Sequence, residues 1–454
     1  MIGFSRPARN GAASDPTLDI ARLARAAPRP TSIAQTGLSL AALADLAIKQ
    51  FATYGVQTLS EVIGRLGLPG PVVEQVLQHL RGEGLVEVRM RHGHDGEMRY
   101  GPTERGRAEG YDILLRSGYV GPAPIALEDY CDIVQAQSIR RRRIERDVVA
   151  RALEPIVTSE QLRDSIGPAL NSGRAILIHG APGTGKTCLA QHVGRVLSDL
   201  ILIPYAIAVN DSIIEIFDPQ LHVEVSLNTP GQSMHLSQGW DARYACCQRP
   251  VVTAAGELTL EMLEVQRDPG TRTFAAPLQL KANNGVFLID DLGRQRVSPR
   301  ALFNRWIVPM EENRDYLSAS IGQHFAVPFD QILLFSTNLE LDDLADAAFL
   351  RRVGYKIELE QCSAETYRQI WQRICAERDL YCDPDLLSAL IDGRYLSSGT
   401  PMLPCHPRDL IGMVLDLKRY RGEALELDQS SIEWAWKNYF AGHPLPETAD
   451  RPPN

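Results

Sequence analysis

Gly180-Ala181-Pro182-Gly183-Thr184-Gly185-Lys186-Thr187 fits the pattern G-x-x-x-x-G-K-[ST] at every position. Ahead of it lies the apolar run Ala175-Ile176-Leu177-Ile178-His179, which reads as a buried strand. Behind it, Cys188-Leu189-Ala190-Gln191-His192-Val193 reads as the opening of a helix. Strand, glycine loop and helix together give the pattern its meaning. The glycines let backbone N–H groups curl around phosphate oxygens, and the helix N-terminus adds a favourable dipole. In such a loop Lys186 reaches the β- and γ-phosphates and the Thr187 hydroxyl binds Mg²⁺. Gly180, Pro182, Gly183, Thr184, Gly185, Lys186 and Thr187 are therefore the expected contacts to a nucleoside triphosphate.

A second run, Gly285-Val286-Phe287-Leu288-Ile289-Asp290-Asp291, reads as a central strand with two carboxylates emerging at its C-terminal end, where open α/β sheets bind ligands. Like charges so close together repel in a low dielectric unless a cation is present, so the pair points to a metal. Asp290 is the expected Mg²⁺ partner, and Asp291 the group that polarises the attacking water. From about Ile144 to Ile357 strand and helix patterns alternate, which predicts a parallel sheet with crossovers.

The chain has 454 residues, 44% of them hydrophobic and 23% charged, with a net charge of −9. This is the composition of a globular protein of two to four domains and argues against general polyanion binding. No apolar run approaches the roughly 18 residues of a membrane span. The first residues lack the apolar core of a signal peptide. Eight cysteines without C-x-x-C spacing read as reduced thiols, and the expected location is the cytoplasm.

Residues 1–35, rich in Ala, Pro, Arg and Ser, are expected to be a disordered arm. Helical spacing at Leu40–Ala52, Thr58–Leu66 and Pro71–Leu80 precedes a hairpin, Leu85–Met90 and Glu97–Tyr100, around a turn at His92–Gly96. Three helices and a hairpin, followed by Thr103-Glu104-Arg105-Gly106-Arg107, resemble a winged helix, which sets a domain at 36–110. Ser32 to Arg107 holds eight basic and eight acidic residues. The third helix turns Glu74, Gln75, Gln78 and His79 outward, with Arg81 the one basic residue at its end. A protein-docking role is therefore favoured over DNA binding, to which Arg89, Arg91 and Arg99 would contribute phosphate contacts. Residues 111–143 read as a connector, broken at Gly118–Pro124 and ending in Arg140-Arg141-Arg142-Arg143, read as a solvated run. The core is expected at 144–360, a helical lid at 361–442 and a frayed tail at 443–454. Residues 209–285 exceed one crossover and read as an insertion, with Ile213–Phe217, a His222–Leu227 strand and Tyr244–Leu263.

With these motifs in view, residues 140–442 resemble an AAA+ ATPase. Ile332-Leu333-Leu334-Phe335-Ser336-Thr337-Asn338 is similar to the family's sensor 1, which implies that Asn338 orients the water near the γ-phosphate. Asp346-Ala347-Ala348-Phe349-Leu350-Arg351-Arg352-Val353 resembles the arginine-finger segment, which implies that Arg351 or Arg352 acts from a neighbouring subunit. Cys405-His406-Pro407-Arg408-Asp409-Leu410-Ile411 resembles sensor 2, with Arg408 reaching the γ-phosphate from the lid. A hairpin expected over Asp315–Phe329, with Pro309-Met310-Glu311-Glu312 before it, is similar to the MoxR-like and related hairpin-insert branches. The chain departs from the family pattern at Asp291, where a glutamate is usual. It also lacks a metal-ion-adhesion domain and a GAFTGA loop. The resemblance implies an α/β fold of the P-loop NTPase (AAA+) type with a helical C-terminal lid. It further implies ATP and Mg²⁺ as ligands, a homo-oligomer in the form of a hexameric ring, and hydrolysis that moves or remodels a macromolecular client. The competing reading is a DNA-binding regulator switched by ATP through the winged-helix-like domain.

Overall fold

The apolar run ahead of the phosphate loop is an interior strand, second from one edge, of a five-stranded sheet. The computed structural model describes residues 16–89, 98–226, 239–320, 323–344 and 347–441. Numbered within this sheet, the strands are β1 (Ile176–His179), β2 (Val251–Ala254), β3 (Val286–Ile289), β4 (Ile332–Thr337) and β5 (Tyr355–Glu358). They lie in the order 5-1-4-3-2, all parallel. Every residue of β3 and β4 is buried, because helices cover both faces; this is why these strands read as continuous apolar runs. One face packs on Phe303, Trp306 and Phe349. The other packs on Val149, Leu170, Leu189 and Val193, from helices Arg146–Leu153, Glu160–Ser172 and Lys186–Gly194. Register aligns the strand ends: Ile289 pairs with Phe335, Ile178 with Ser336 and His179 with Thr337. The loop after β1, the carboxylates after β3 and the polar end of β4 therefore share one edge, where ligands bind in open α/β sheets.

The C-terminal unit comprises helices Ala364–Glu377, Pro384–Leu390, His406–Arg421 and Gln429–Tyr439, with a π-helical turn at Ile391–Leu396. It has its own core around Tyr367, Trp371, Tyr395, Ile411 and Trp436. The fold is thus the α/β, parallel-sheet P-loop architecture with C-terminal helices that the sequence predicts.

Toward the N-terminus, helices Leu40–Tyr54, Leu59–Leu66 and Gly70–Gly82 pack with a three-stranded antiparallel sheet, Gln57–Thr58, Arg99–Pro102 and Val86–Arg89. Thr58 and Glu61 form a reciprocal capping box that starts the second helix. The expected turn at His92–Gly96 lies outside the described residues.

Several expectations are corrected. In the segment 1–35, Pro16–Ala26 is a helix. Its Leu23 and the following Ala27 are buried with Trp240; Arg22 donates to Leu200 O at 2.6 Å and Arg29 to Trp240 O at 3.0 Å. The small apolar stripe orders because a distant surface receives it, which composition alone does not reveal. Residues 1–15 lie outside the described residues. The 111–143 segment is more than a connector. Ile125–Ala126 pairs in parallel with Ala206–Val209, and helix Leu127–Ala136 buries Tyr130, Ile133 and Val134. The glycines and prolines of 118–124 only turn the chain, held by Tyr119 Oη on Pro122 O at 2.7 Å and Ala123 N on Leu66 O at 2.8 Å. Nor is the arginine run merely solvated. Arg142 pairs with Asp199, a buried carboxylate that also receives Arg249 at 2.7 Å and Arg22 at 3.2 Å, and Arg140 faces Asp330 at 3.8 Å.

The inserted material begins at Leu200, earlier than predicted. Leu200–Pro204 pairs with Tyr244–Gln248. A second five-stranded sheet places Gln266–Arg267, Phe274–Ala275, Ser212–Glu215, Ala206–Val209 and Ile125–Ala126 side by side. The expected His222–Leu227 strand is reduced to a single bridge, Glu224 to Cys247, with Leu227 outside the described residues. The hairpin Arg314–Ser320/Gln323–Pro328 precedes β4, and its Leu317, Phe325 and Val327 join the core of this second sheet. Among the described residues no helix is long and apolar enough to cross a membrane.

Candidate nucleotide site

The chain leaves β1 through Gly180, whose φ of 142° lies in a region that side chains disfavour. A Cβ there would sit 2.3 Å from the carbonyl oxygen of Leu359, so only glycine admits this approach. Pro182 is exposed at the top of the loop and Thr184 is buried beneath it, its Oγ1 donating to Ala181 O at 2.9 Å. Gly185, at a φ of 90°, is the N-cap of helix Lys186–Gly194. The buried Lys186 donates to the carbonyls of Gly180 at 2.8 Å and Ala181 at 2.7 Å. Burial lowers its pKa, while the nearby carboxylates of Asp291 and Asp290 oppose that shift. The ammonium therefore sits between loop carbonyls and an acidic pair, in a cradle suited to anionic oxygens.

Thr187 is the next residue, and its Oγ1 donates to Asp290 Oδ1 at 3.0 Å. Ser336 Oγ donates to the same oxygen. The backbone N–H of Asp291 donates to Asp290 Oδ1 at 3.1 Å and to Ser336 Oγ at 3.2 Å. Asn338 Nδ2 donates to Asp291 Oδ1 at 3.1 Å. The structure thus places Lys186, Thr187, Asp290, Asp291 and Asn338 beside one another. One hydroxyl and one carboxylate meeting at the mouth of a phosphate loop form a hard-oxygen donor pair. Mg²⁺ is usually held by such a small protein set plus substrate phosphates, so the residues fit that ion.

Two contributors were missed. Ser336 orients Asp290 and the turn after it; its signal was the polar end of the β4 pattern. Gln295, almost fully buried, donates to the carbonyls of Asp290 at 2.8 Å and Asp291 at 3.3 Å and accepts from Gly293 N at 2.8 Å. It pins a turn in which Asp291 takes a φ of 50°. A glutamine four residues beyond a motif gives no sequence signal.

The arginines divide. Arg408 is exposed on helix His406–Arg421 of the C-terminal unit, and its charge favours the thiolate of Cys188, next to Thr187. Burial nonetheless dominates and raises the Cys188 pKa. The C-terminal unit also touches the loop, since a Cβ on Gly183 would meet Cys405 Sγ at 2.9 Å. Arg351 and Arg352 end helix Ala347–Arg352; Asp346 lies outside the described residues. They border a cavity with Ala175 and Leu333, at the opposite edge of the sheet from the loop, and Arg352 Nε bonds Glu311 at 2.6 Å. Within one chain they do not join the site.

A family model described as "Domain of unknown function (DUF8689)" matches residues 363–438, the C-terminal helical unit. A search of curated proteins found no match. Among solved structures the chain is similar to NtrX from Brucella abortus, with 14% identity, 64% of this chain and 57% of that chain covered, and a TM-score of 0.40. It is also similar to RuvB from Thermotoga maritima, described as a Holliday junction branch migration motor. There the identity is 14%, with 62% of this chain and 70% of that chain covered and a TM-score of 0.35. The chain thus spans little more than half the length of NtrX. Likeness at this level concerns the course of the chain and carries no inference about activity.

Proposed function

We propose that this protein is an AAA+ ATPase that binds Mg-ATP at the β1–β3–β4 edge, hydrolyses it, and uses the resulting motion to remodel a macromolecular client as part of a homo-oligomeric ring. The observation that carries this reading is the linked set Thr187–Asp290–Ser336 and Asp291–Asn338 beside Lys186. Lys186 and the loop N–H groups bind the β- and γ-phosphates. Thr187 and Asp290 hold Mg²⁺, which neutralises charge on the phosphate oxygens when bound. Asp291 takes the proton of the attacking water, one methylene shorter than the usual glutamate, and Asn338 holds Asp291 and that water in line. Arg408 contacts the γ-phosphate from the lid. Arg351 or Arg352 stabilises the developing charge on a nucleotide carried by the neighbouring chain.

The hairpin ahead of β4 supports placement in a hairpin-insert branch such as the MoxR-like one. The N-terminal three-helix, three-strand unit reads as winged-helix-like. Its third helix exposes Glu74, Gln75 and Gln78, which favours a protein partner over DNA; a regulator that binds DNA under ATP control is the alternative. Steady-state turnover tests the main reading. Wild-type protein hydrolyses ATP in a Mg²⁺-dependent manner, and Asp291→Asn binds ATP with unchanged affinity but turns over at least about a hundredfold more slowly. Wild-type turnover by Asp291→Asn would remove the assignment of Asp291 as base.

A further inference from the structure

A strand that ran on past Ile289 would send Asp290 and Asp291 to opposite faces of the sheet. Both carboxylates nevertheless serve one site. Asp290 Oδ1 accepts from Thr187 Oγ1 at 3.0 Å, and Asp291 Oδ1 accepts from Asn338 Nδ2 at 3.1 Å. The alternation breaks at Asp291 itself, whose φ of 50° is left-handed. Such backbone is unfavourable for residues that carry a side chain, and the short polar aspartate and asparagine tolerate it best. Glutamate, with its carboxylate one methylene further out, lacks that tolerance.

The turn around Asp291 is tied down on both sides. Leu292 is 1% exposed; its N–H donates to Ser336 O at 2.7 Å and its carbonyl accepts from Thr337 Oγ1 at 2.8 Å. Gly293 follows at a φ of 109°. Gln295 then reaches back over the turn. Its Nε2 donates to Asp290 O at 2.8 Å and to Asp291 O at 3.3 Å, and its Oε1 accepts from Gly293 N at 2.8 Å. These three bonds fall within residues 290–293 and bracket the left-handed residue. The amide therefore serves the conformation of this one turn.

We propose that Gln295 is a positioning residue for the hydrolysis assigned above, and that the turn it holds is the reason an aspartate stands where the AAA+ pattern has glutamate. The inference rests on the reading of Asp291 as base. The turn, and not the length of the side chain, sets where the carboxylate meets the water. Lengthening residue 291 inside this turn then moves the carboxylate out of place, and so does loosening the turn. The second effect passes through Asp291 alone.

The test is steady-state ATP turnover, with ATP binding measured alongside, by the full-length protein. Gln295→Met keeps the size of the side chain and removes its three bonds. It should lower kcat at least about tenfold, the scale on which a misplaced reacting group slows a reaction, while KM and ATP affinity stay within about twofold. Asp291→Glu, which restores the residue usual in the family, should be at least about fivefold slower than wild type. In the Asp291→Asn background, Gln295→Met should change the residual turnover by less than about twofold, because nothing is left to position. A merely structural role would lower ATP affinity and act equally in both backgrounds. Wild-type kcat in Gln295→Met, a loss shared by ATP affinity, additive losses in the double variant, or Asp291→Glu at or above the wild-type rate each overturn the proposal. Where Gln295→Met fails to fold, Asp291→Glu, at a half-buried position, carries the test. Wild-type turnover by Asp291→Asn would remove the base itself and this inference with it. A slow Asp291→Asn beside an unimpaired Gln295→Met removes this inference alone.

Discussion

The two edges of the five-stranded sheet differ in charge and in completeness. At the C-terminal edge Thr187 bonds Asp290 and Asn338 bonds Asp291, and the charges of both aspartates act on Lys186 beside them. At the N-terminal edge Arg351 and Arg352 border a cavity that holds no part of that set. A parallel sheet creates this separation, because every strand leaves at one edge and enters at the other. Four residues of strand span roughly 13 Å, too far for an arginine at the start of β5 to bend round to its own phosphate loop. Arginines placed this way serve a neighbour or serve something else, and the difference between the edges is open to experiment.

The largest effect belongs to the arginines. Replacing both Arg351 and Arg352 by alanine should lower turnover by roughly a thousandfold, the scale of an arginine acting on a transferred phosphate, while ATP affinity changes less than about threefold. Mixing that variant with Lys186→Ala should restore part of the turnover, because an intact loop then meets intact arginines from another chain. Failure to complement would place the arginines outside the reaction. Next comes Lys186→Ala alone, expected to weaken ATP binding by about a hundredfold, or about 2.7 kcal/mol, as read by displacement of a fluorescent nucleotide. Ser336→Ala removes one hydrogen bond to Asp290, an effect of about 1 kcal/mol, and should weaken ATP about fivefold in Mg²⁺ with little change in EDTA.

The smallest effect concerns the C-terminal unit. His406 is buried beneath Tyr395, whose hydroxyl lies 3.1 Å from Nδ1. Burial pushes its pKa down to about 4, against the opposing charge of Asp409. The unfolded chain therefore takes the proton first, and the folded form loses stability as the pH falls from about 6.5 towards 4. The melting temperature should drop by a few degrees more between pH 7 and pH 5 in wild type than in His406→Asn. Equal drops would show that His406 is not the group responsible.

What could be read in the sequence follows the same line as the comparison. The phosphate loop, the two aspartates and Asn338 each announce themselves within a few residues, because a strand and the turn that ends it are local. The core sheet was legible for the same reason. The docking of Pro16–Ala26 was not, since Arg22 finds Asp199 a hundred and seventy-seven positions away. The strand Ile125–Ala126 depends on a partner at Ile207 and Ala208, and two residues carry no periodicity. Ser336 stood in plain sight beside Asn338, yet its bond to Asp290 becomes visible only when register sets β4 beside β3. Gln295 was invisible, because an amide in a turn differs from a solvated one only in what surrounds it.

The close approach of Gly180 to Leu359 has a mechanical side. Leu359 follows β5, and its N–H is tied to His179 O at 2.8 Å; the helical unit begins four residues later, at Ser363. The root of that unit is therefore pinned to the same short backbone that opens the phosphate loop. The loop therefore meets the helical unit at two places, the Leu359 root and the contact of Gly183 with Cys405, and Cys405 in turn touches Tyr439 at the end of helix Gln429–Tyr439, so that any displacement of the loop bears on both ends of that unit's chain.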